Sequence, residues 1–399
     1  MKILMVNKFL FPNGGSETYI FKLGDYLKAH GHEVEYFGMD HERRTVSNRA
    51  DAYISNLDFH SGKLVKLVYP FKIIYSLEAR RKIRAILEAF DPEVIHLNNF
   101  NFQITPSILY EIKAFERKKQ RKISIVYTAH DYQLICPNHM MNVPSTRENC
   151  ERCQEGHYWN CVKLKCIHNS LARSLIGAFE GYLYRRLGTY KFIDHVICPS
   201  YFMEDKISAN PTLKGKTIPL HNFIAEFEEI QSNKEQYVLY FGRYSVEKGI
   251  KTLLNACKSL PQIPFVFAGT GPLEQELCSM PNVTNLGFLT GAALDDLIRK
   301  ASFSIYPSEW YENCPFSVME SQILGTPVIG ANIGGIPELI EDGVSGELFT
   351  SGDYKALTSS IERLWNDQEL LSSYRMNCLS KKFATLPEYC DQLMQIYQA

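Results

Sequence analysis

The stretch Phe303-Ser-Ile-Tyr306-Pro-Ser-Glu-Trp-Tyr-Glu312-Asn-Cys-Pro315-Phe-Ser-Val-Met-Glu320-Ser-Gln-Ile-Leu-Gly325-Thr-Pro-Val-Ile-Gly330 reads as strand, loop, helix and strand. Phe303–Tyr306 is a short apolar run stopped by a proline, the pattern of a buried strand. Pro315 suits a first helical position, because the N–H it lacks is one a helix leaves unpaired. The helix is expected over Phe316 to Leu324, with a stop at Gly325. The next strand is expected over Pro327–Gly330, and a strand–helix–strand unit implies a parallel sheet. Two carboxylates frame the helix start. Glu312 falls on the loop before it, and Glu320 about one and a half turns inside it. The helix N-terminus adds free N–H groups and partial positive charge. The set suits a sugar nucleotide: one acid for sugar hydroxyls, one for ribose, the helix end for a diphosphate.

The same alternation runs through the chain. Strands are expected at Ile3–Val6, Glu33–Phe37, Val94–Leu97, Ser124–Thr128 and His195–Ile197, then at Tyr237–Phe241, Phe265–Ala268 and Val283–Leu286. Helical patterns lie between members of each set, which indicates two doubly wound parallel sheets. The boundary is expected at Pro219–Glu226 and the polar stretch through Glu235. At 399 residues, with 45% hydrophobic residues, the chain has the size and composition of a soluble two- or three-domain protein. No run of eighteen apolar residues suggests a membrane span. Met1–Asn7 reads as a first strand rather than a signal peptide, so a cytoplasmic location is expected. The net charge of −1 conceals an asymmetry: residues 1–200 hold 28 Lys and Arg against 20 Asp and Glu, and the remainder is acidic. This suggests two domains with different partners.

Four further segments follow strands. Gly14-Gly15-Ser-Glu-Thr allows close backbone approach to a phosphate, but carries neither the dinucleotide fingerprint nor a P-loop. Phe241-Gly-Arg243-Tyr-Ser-Val-Glu-Lys248-Gly249 sets a guanidinium and an ammonium five residues apart around a turn. Ala268-Gly269-Thr-Gly271-Pro is a second glycine turn. His130-Asp131 ends the strand Ser124–Thr128, and His96-Leu-Asn-Asn99 ends the strand before it. A histidine at a strand end is commonly structural, and two cations near a turn are commonly solvated.

The stretch Tyr306–Glu320, with Gly325-Thr-Pro-Val-Ile-Gly330 and Gly334-Gly-Ile-Pro-Glu338, resembles the signature of the family 4 glycosyltransferases of the retaining GT-B class. The resemblance covers nearly the whole chain and is strongest over 237–340. It implies an α/β GT-B fold of two doubly wound Rossmann-like domains facing a central cleft. The N-terminal, acceptor-side domain would span 1–220 and the nucleotide-sugar-binding domain 221–385. The last helix, in 386–399, would return to the first domain. The implied enzyme is a hexosyltransferase that takes a UDP- or GDP-sugar and retains configuration. Its acceptor would be a hydroxyl of a glycan or polyprenyl-linked glycan in surface polysaccharide assembly, with no nucleic acid involved.

The resemblance also implies roles. Arg243 and Lys248 match a G-R-x-x-x-E-K-G pattern that binds the diphosphate. Gly14 and Gly15 would face donor phosphate and acceptor, Gly269 and Gly271 the nucleotide, and Leu289, in Phe288-Leu-Thr-Gly291, the base. Asn313, Cys314, Pro315, Phe316, Ser317 and Val318 would carry the donor-binding loop into the helix, with Glu320 holding the nucleotide. His130 and Glu312 would act at the sugar, His130 as a polar, charge-stabilising group. His96 and Asn99 would line the acceptor side. No cofactor is implied for catalysis. No Asp-x-Asp metal motif occurs, and the leaving diphosphate would be neutralised by Arg243, Lys248 and the helix end. Two rivals are a GT-B-fold sugar-nucleotide 2-epimerase and a catalytically silent zinc- or lipid-binding relative.

Five of the 11 cysteines, Cys136, Cys150, Cys153, Cys161 and Cys166, crowd into an insertion at about 136–170. Cys150-x-x-Cys153 and Cys161-x4-Cys166 resemble a structural zinc knuckle, with free thiols as the alternative. Lys63-Leu-Val-Lys66-Leu-Val-Tyr-Pro-Phe71-Lys72-Ile-Ile-Tyr75 and Arg80-Arg-Lys-Ile-Arg84, with Arg117–Lys122, mix basic and apolar residues. They suggest peripheral contact with the inner face of an anionic membrane.

Overall fold

The first strand, β1 (Lys2–Val6), is buried from Ile3 onwards, with no polar side chain on either face. Helices on both faces of a parallel sheet demand that pattern, and it recurs in the central strands. The computed structural model describes residues 1–55, 72–224, 233–277 and 279–399. They form two units: Met1–Leu220 with Leu386–Ala399, and His221–Thr385.

In the first unit, β2 (Glu33–Phe37), β3 (Val94–Leu97), β4 (Ser124–Thr128), β5 (His195–Cys198) and β6 (Thr217–Pro219) join β1 in the order β2-β1-β3-β4-β5-β6. All pairs are parallel; Ile3 faces Val34 on one side and Val94 on the other. In the second unit, β7 (Val238–Phe241), β8 (Phe265–Ala268), β9 (Val283–Asn285), β10 (Phe303–Tyr306), β11 (Val328–Ala331) and β12 (Gly346–Phe349) are ordered β12-β11-β10-β7-β8-β9. The second order is that of the doubly wound dinucleotide fold. Each sheet reverses its winding once, between β1 and β3 and between β7 and β10. Ligands of such sheets bind beyond the carboxyl ends of the strands at the reversal.

Two strands, β6 and β12, were not expected from the sequence. Both are sheet edges, where one neighbour suffices and a long apolar run is not needed. β6 has three half-buried residues and ends in a proline; β12 begins with a glycine. The helix Leu386–Gln398 belongs to the first unit. Tyr389 Oη lies 2.8 Å from Tyr19 Oη, and Tyr397 Oη lies 2.6 Å from His96 Nδ1. Among the described residues, no helix is long and apolar enough to cross a membrane.

Candidate active site

At the reversal in the second sheet, β7 delivers Arg243 and Lys248 and β10 delivers Ser308, Trp310 and Glu312. Glu312 is buried, and one oxygen of its carboxylate is heavily engaged. Oε1 accepts from Lys248 Nζ at 2.6 Å, Ser308 Oγ at 2.9 Å and Trp310 Nε1 at 2.5 Å. Three donors on one oxygen fix the orientation of the carboxylate.

Lys248 is held as firmly. Besides Glu312, its ammonium donates to Tyr306 Oη at 3.2 Å and lies over the rings of Tyr306 and Trp310, 5.5 and 5.3 Å from their centroids. Burial opposes its charge, but the Glu312 carboxylate and then Tyr306 outweigh burial and hold its pKa above the ordinary lysine value. An ammonium has three N–H donors; these two bonds leave one for an anion. Arg243 is exposed, and its guanidinium makes no hydrogen bond or ion pair among the described residues.

Backbone packing sets the loop that carries Glu312. Gly335 N donates to Glu312 O at 2.8 Å. Gly334 has φ +59°, and a Cβ there would stand 2.4 Å from Glu312 O. Only glycine fits so close to the backbone in that conformation. Gly269 and Gly271 do the same for the Arg243 loop: their Cβ atoms would meet Gly242 O at 1.9 Å and Tyr244 O at 2.4 Å.

The helix begins at Phe316 and ends at Ile323. Pro315 is its N-cap, in an extended conformation (φ −68°, ψ 118°), and not its first helical residue as expected. The reason is Asn222: its Nδ2 donates to Cys314 O at 3.1 Å and holds the entering chain extended. Cys314, Pro315 and Val318 are buried; Asn313, Phe316, Ser317 and Glu320 are half-buried. Burial pushes the Cys314 thiol up to about 12, so it stays protonated. Leu289 packs at the margin of the apolar cluster of Leu239, Phe241 and Ile298.

In the first unit, Gly14 and Gly15 open the helix Gly15–Ala29 and are exposed. A Cβ at Gly14 would meet only Glu17 Oε2, at an ordinary 3.4 Å, so packing does not require glycine there. Asn99 donates to Ser16 Oγ at 3.0 Å and ties the end of β3 to this turn; its Oδ1 is buried without a partner. His130 Nε2 donates to Asn98 Oδ1 at 2.8 Å. Burial lowers its pKa to about 4, against the weaker opposing pull of Asp131, so the ring is neutral at pH 7.

His96 differs from its expected role. It has no exposed surface, and both ring nitrogens are engaged, Nδ1 with Tyr397 and Nε2 with Thr128 Oγ1 at 2.7 Å. It presents neither nitrogen to an acceptor; it anchors the C-terminal helix. The five cysteines line one small cavity with Asn138, Asn142 and Asn160. No group of three or more His, Cys, Asp or Glu among the described residues stands in metal-binding geometry. Cys153, Cys161 and Cys166 also pack with Tyr158, Val162 and Ala178. The expected basic patch lies partly outside the described residues, through Phe71. Of the rest, Arg80 and Arg84 both pair with the buried Glu111, and Lys118, Lys119, Arg121 and Lys122 pair with Glu88, Asp91 and Asp194.

Sequence reasoning passed over Ser308, Trp310 and Tyr306, although all three stand in the opening stretch. An indole N–H and a hydroxyl within four residues of a buried acid are the available signal. It also missed His221, whose Nε2 lies 2.8 Å from Glu338 Oε2.

Comparison with known proteins agrees with this geometry. The profile described as Glycosyltransferase Family 4 matches residues 13–224, more than half the chain. The chain belongs to glycosyltransferase family 4. The profile described as Glycosyl transferases group 1 matches residues 222–378 of this family 4 glycosyltransferase. An uncharacterised 42.6 kDa protein in the cps region of Klebsiella pneumoniae is 21% identical over 360 residues, covering 85% of this chain and 87% of that one. A GDP-mannose-dependent alpha-mannosyltransferase of Corynebacterium glutamicum is 22% identical and covers 100% of this chain and 88% of its own. Among solved structures, Anabaena HepE in complex with UDP has a TM-score of 0.68 at 17% identity, with full coverage of both chains. The sucrose-phosphate synthase of Thermosynechococcus elongatus has a TM-score of 0.69 at 18% identity, covering 100% and 98%. The fold is that of GT-B glycosyltransferases.

Proposed function

We propose that this glycosyltransferase moves a sugar, with retention of anomeric configuration, from a UDP- or GDP-sugar to a hydroxyl of a glycan or polyprenyl-linked glycan in surface polysaccharide assembly. The observation that carries the reading is Glu312, buried beside Lys248 and fixed through Oε1 by Lys248, Ser308 and Trp310. Donor chemistry is supported by UDP in the HepE structure and by GDP-mannose in the Corynebacterium relative. The polysaccharide setting is supported by the Klebsiella cps-region relative.

In this reading the third N–H of Lys248, the Arg243 guanidinium and the start of the helix Phe316–Ile323 neutralise the diphosphate. Glu312 Oε2 accepts from a sugar hydroxyl, a bond that strengthens as the ring gains positive charge. Glu320 accepts from the ribose hydroxyls. The acceptor hydroxyl attacks from the face that the diphosphate leaves, and a phosphate oxygen takes its proton.

The test separates the two acids. Calorimetry with free UDP and GDP identifies the base. Glu320→Gln should then weaken free nucleotide and whole donor alike. Glu312→Gln should leave nucleotide affinity nearly intact and slow transfer. Equal loss of nucleotide affinity in both variants, with transfer falling only in proportion, would sink this division of roles.

A further inference from the structure

The helix Leu171–Arg186 is turned inside out. A surface helix buries its large apolar residues and exposes its small and polar ones. Here the buried face is small apart from Tyr184: Ser174, Gly177 and Ala178 are buried, and Gly181 presses on Tyr158. A Cβ at Gly177 would stand 2.4 Å from Ile167 Cδ1, and one at Gly181 2.7 Å from the Tyr158 ring. The small residues are therefore required by close packing. The large ones, Leu171, Leu175, Phe179 and Tyr182, face solvent with 52, 41, 57 and 41% of their surface exposed. At 100° per residue they fall within an arc of about 80°. Trp159 extends the stripe: it is 53% exposed, and its backbone N–H donates to Tyr182 Oη at 3.0 Å. Leu187, 52% exposed, continues it beyond the helix end.

Single exposed apolar residues are ordinary, but a continuous stripe of this kind marks a contact surface. The charge around it selects the partner. Between Trp159 and Lys191 there are six Lys and Arg and one acid. Lys163, Lys165, Arg173, Arg185, Arg186 and Lys191 are all exposed. The one acid, Glu180, lies on the opposite side of the helix and lines a separate cavity with His139 and Tyr190. A Trp-, Phe- and Leu-bearing stripe beside Lys163, Lys165, Arg185 and Arg186, with Glu155 the one exposed acid next to it among the described residues, is the composition of an element lying in the headgroup region of an anionic bilayer.

We propose that the stripe Trp159–Leu171–Leu175–Phe179–Tyr182, with its basic rim, docks this enzyme on an anionic lipid surface. Its test needs neither donor nor acceptor. The full chain is sedimented with vesicles of phosphatidylcholine alone and of phosphatidylcholine and phosphatidylglycerol in equal parts. The anionic vesicles should retain it and the neutral ones should not, with retention falling as salt rises. Leu175→Ser with Phe179→Ser, and separately Lys163→Glu with Arg186→Glu, should each lower vesicle affinity at least tenfold. All four residues face solvent, so their melting temperatures should match the wild type. Brominated lipid should quench tryptophan fluorescence of the wild type, and much less that of Trp159→Phe, a readout that needs no disruptive variant. Equal retention by neutral and anionic vesicles, or unchanged retention of either double variant, overturns the proposal. So does failure to bind anionic vesicles combined with a dimer that the Leu175→Ser, Phe179→Ser variant dissolves, since the stripe would then be a self-association face.

Discussion

Glu312 Oε1 is the most heavily bonded carboxylate oxygen of the site, and each of its donors has a cost of removal that can be stated. Trp310→Phe keeps the ring over Lys248 and deletes one charge-assisted hydrogen bond, worth about 1.5–3 kcal/mol. If that bond holds the carboxylate in its working position, kcat/KM should fall roughly ten- to a hundredfold with nucleotide affinity unchanged. Nucleotide affinity falling in step would show that the indole serves binding instead. Gly334→Ala tests the backbone beneath. It combines a left-handed φ with a Cβ 2.4 Å from Glu312 O, and should destabilise by about 2 kcal/mol or more. Gly343→Ala is the control: φ is +71°, nothing lies within 4 Å, and its cost should be about 1 kcal/mol. Equal losses in thermal melts would refute the collision. The Glu312–Lys248 bond was not legible in the sequence. Those residues are 64 positions apart, and they meet only because β10 pairs with β7 at Phe303–Val238 and Ser304–Leu239. Gly269 and Gly14 read alike as glycines after strands, but packing forces only the first.

Elements were legible in proportion to how much of them is buried. β3, β4, β8 and β10 run over the residues that their apolar runs predict, because helices cover both faces and most positions are apolar, and the edge strand β2 does so through Val34, Tyr36 and Phe37. β6 (Thr-Ile-Pro) and β12 (Gly-Glu-Leu-Phe) escaped because neither carries a continuous apolar run. His96 shows how an element end misleads. A strand-end histidine looks like a ligand, but here two hydroxyls from Thr128 and the helix Leu386–Gln398 enclose it. Burial and then the neighbouring His130 lower its pKa to about 3, and burial lowers that of His130 to about 4. Both values lie below that of an unfolded histidine, so between pH 6.5 and those values the unfolded chain binds more protons and stability must drop as pH is lowered. At pH 5 the loss is about 2 kcal/mol for His96, and somewhat less for the partly exposed His130. Urea midpoints should therefore drop from pH 7 to pH 5, with a shallower drop in His96→Gln. A wild-type midpoint that does not move over that interval contradicts this burial account.

At the scale of the molecule, the two units are unequal in how the chain supplies them. The second is one continuous segment, His221–Thr385, with a complete six-stranded sheet and its own core around Val238, Phe267, Val318 and Ile329. The residues proposed to hold the donor, Arg243, Lys248, Glu312 and Glu320, all lie within it. Expressed alone, 221–385 should fold cooperatively and bind free UDP or GDP within about tenfold of the whole enzyme, while transferring no sugar, because His130 and the Gly14 turn are absent. The first unit is discontinuous. Met1–Leu220 without Leu386–Ala399 would bare Tyr19 and His96 and leave both without their tyrosine partners. Opening two buried polar groups and the apolar face around Leu393 and Ile396 should cost several kcal/mol, comparable to the whole stability of a domain. Segment 1–220 alone should therefore be poorly soluble or molten. The same segment with 386–399 joined by a flexible linker should melt cooperatively. Hydrogen exchange on the joined form should protect β1 and β4, the strands nearest Tyr19 and Thr128. Cooperative melting of 1–220 alone, at the temperature of the joined form, would show that the C-terminal helix is an accessory and not part of this unit's core.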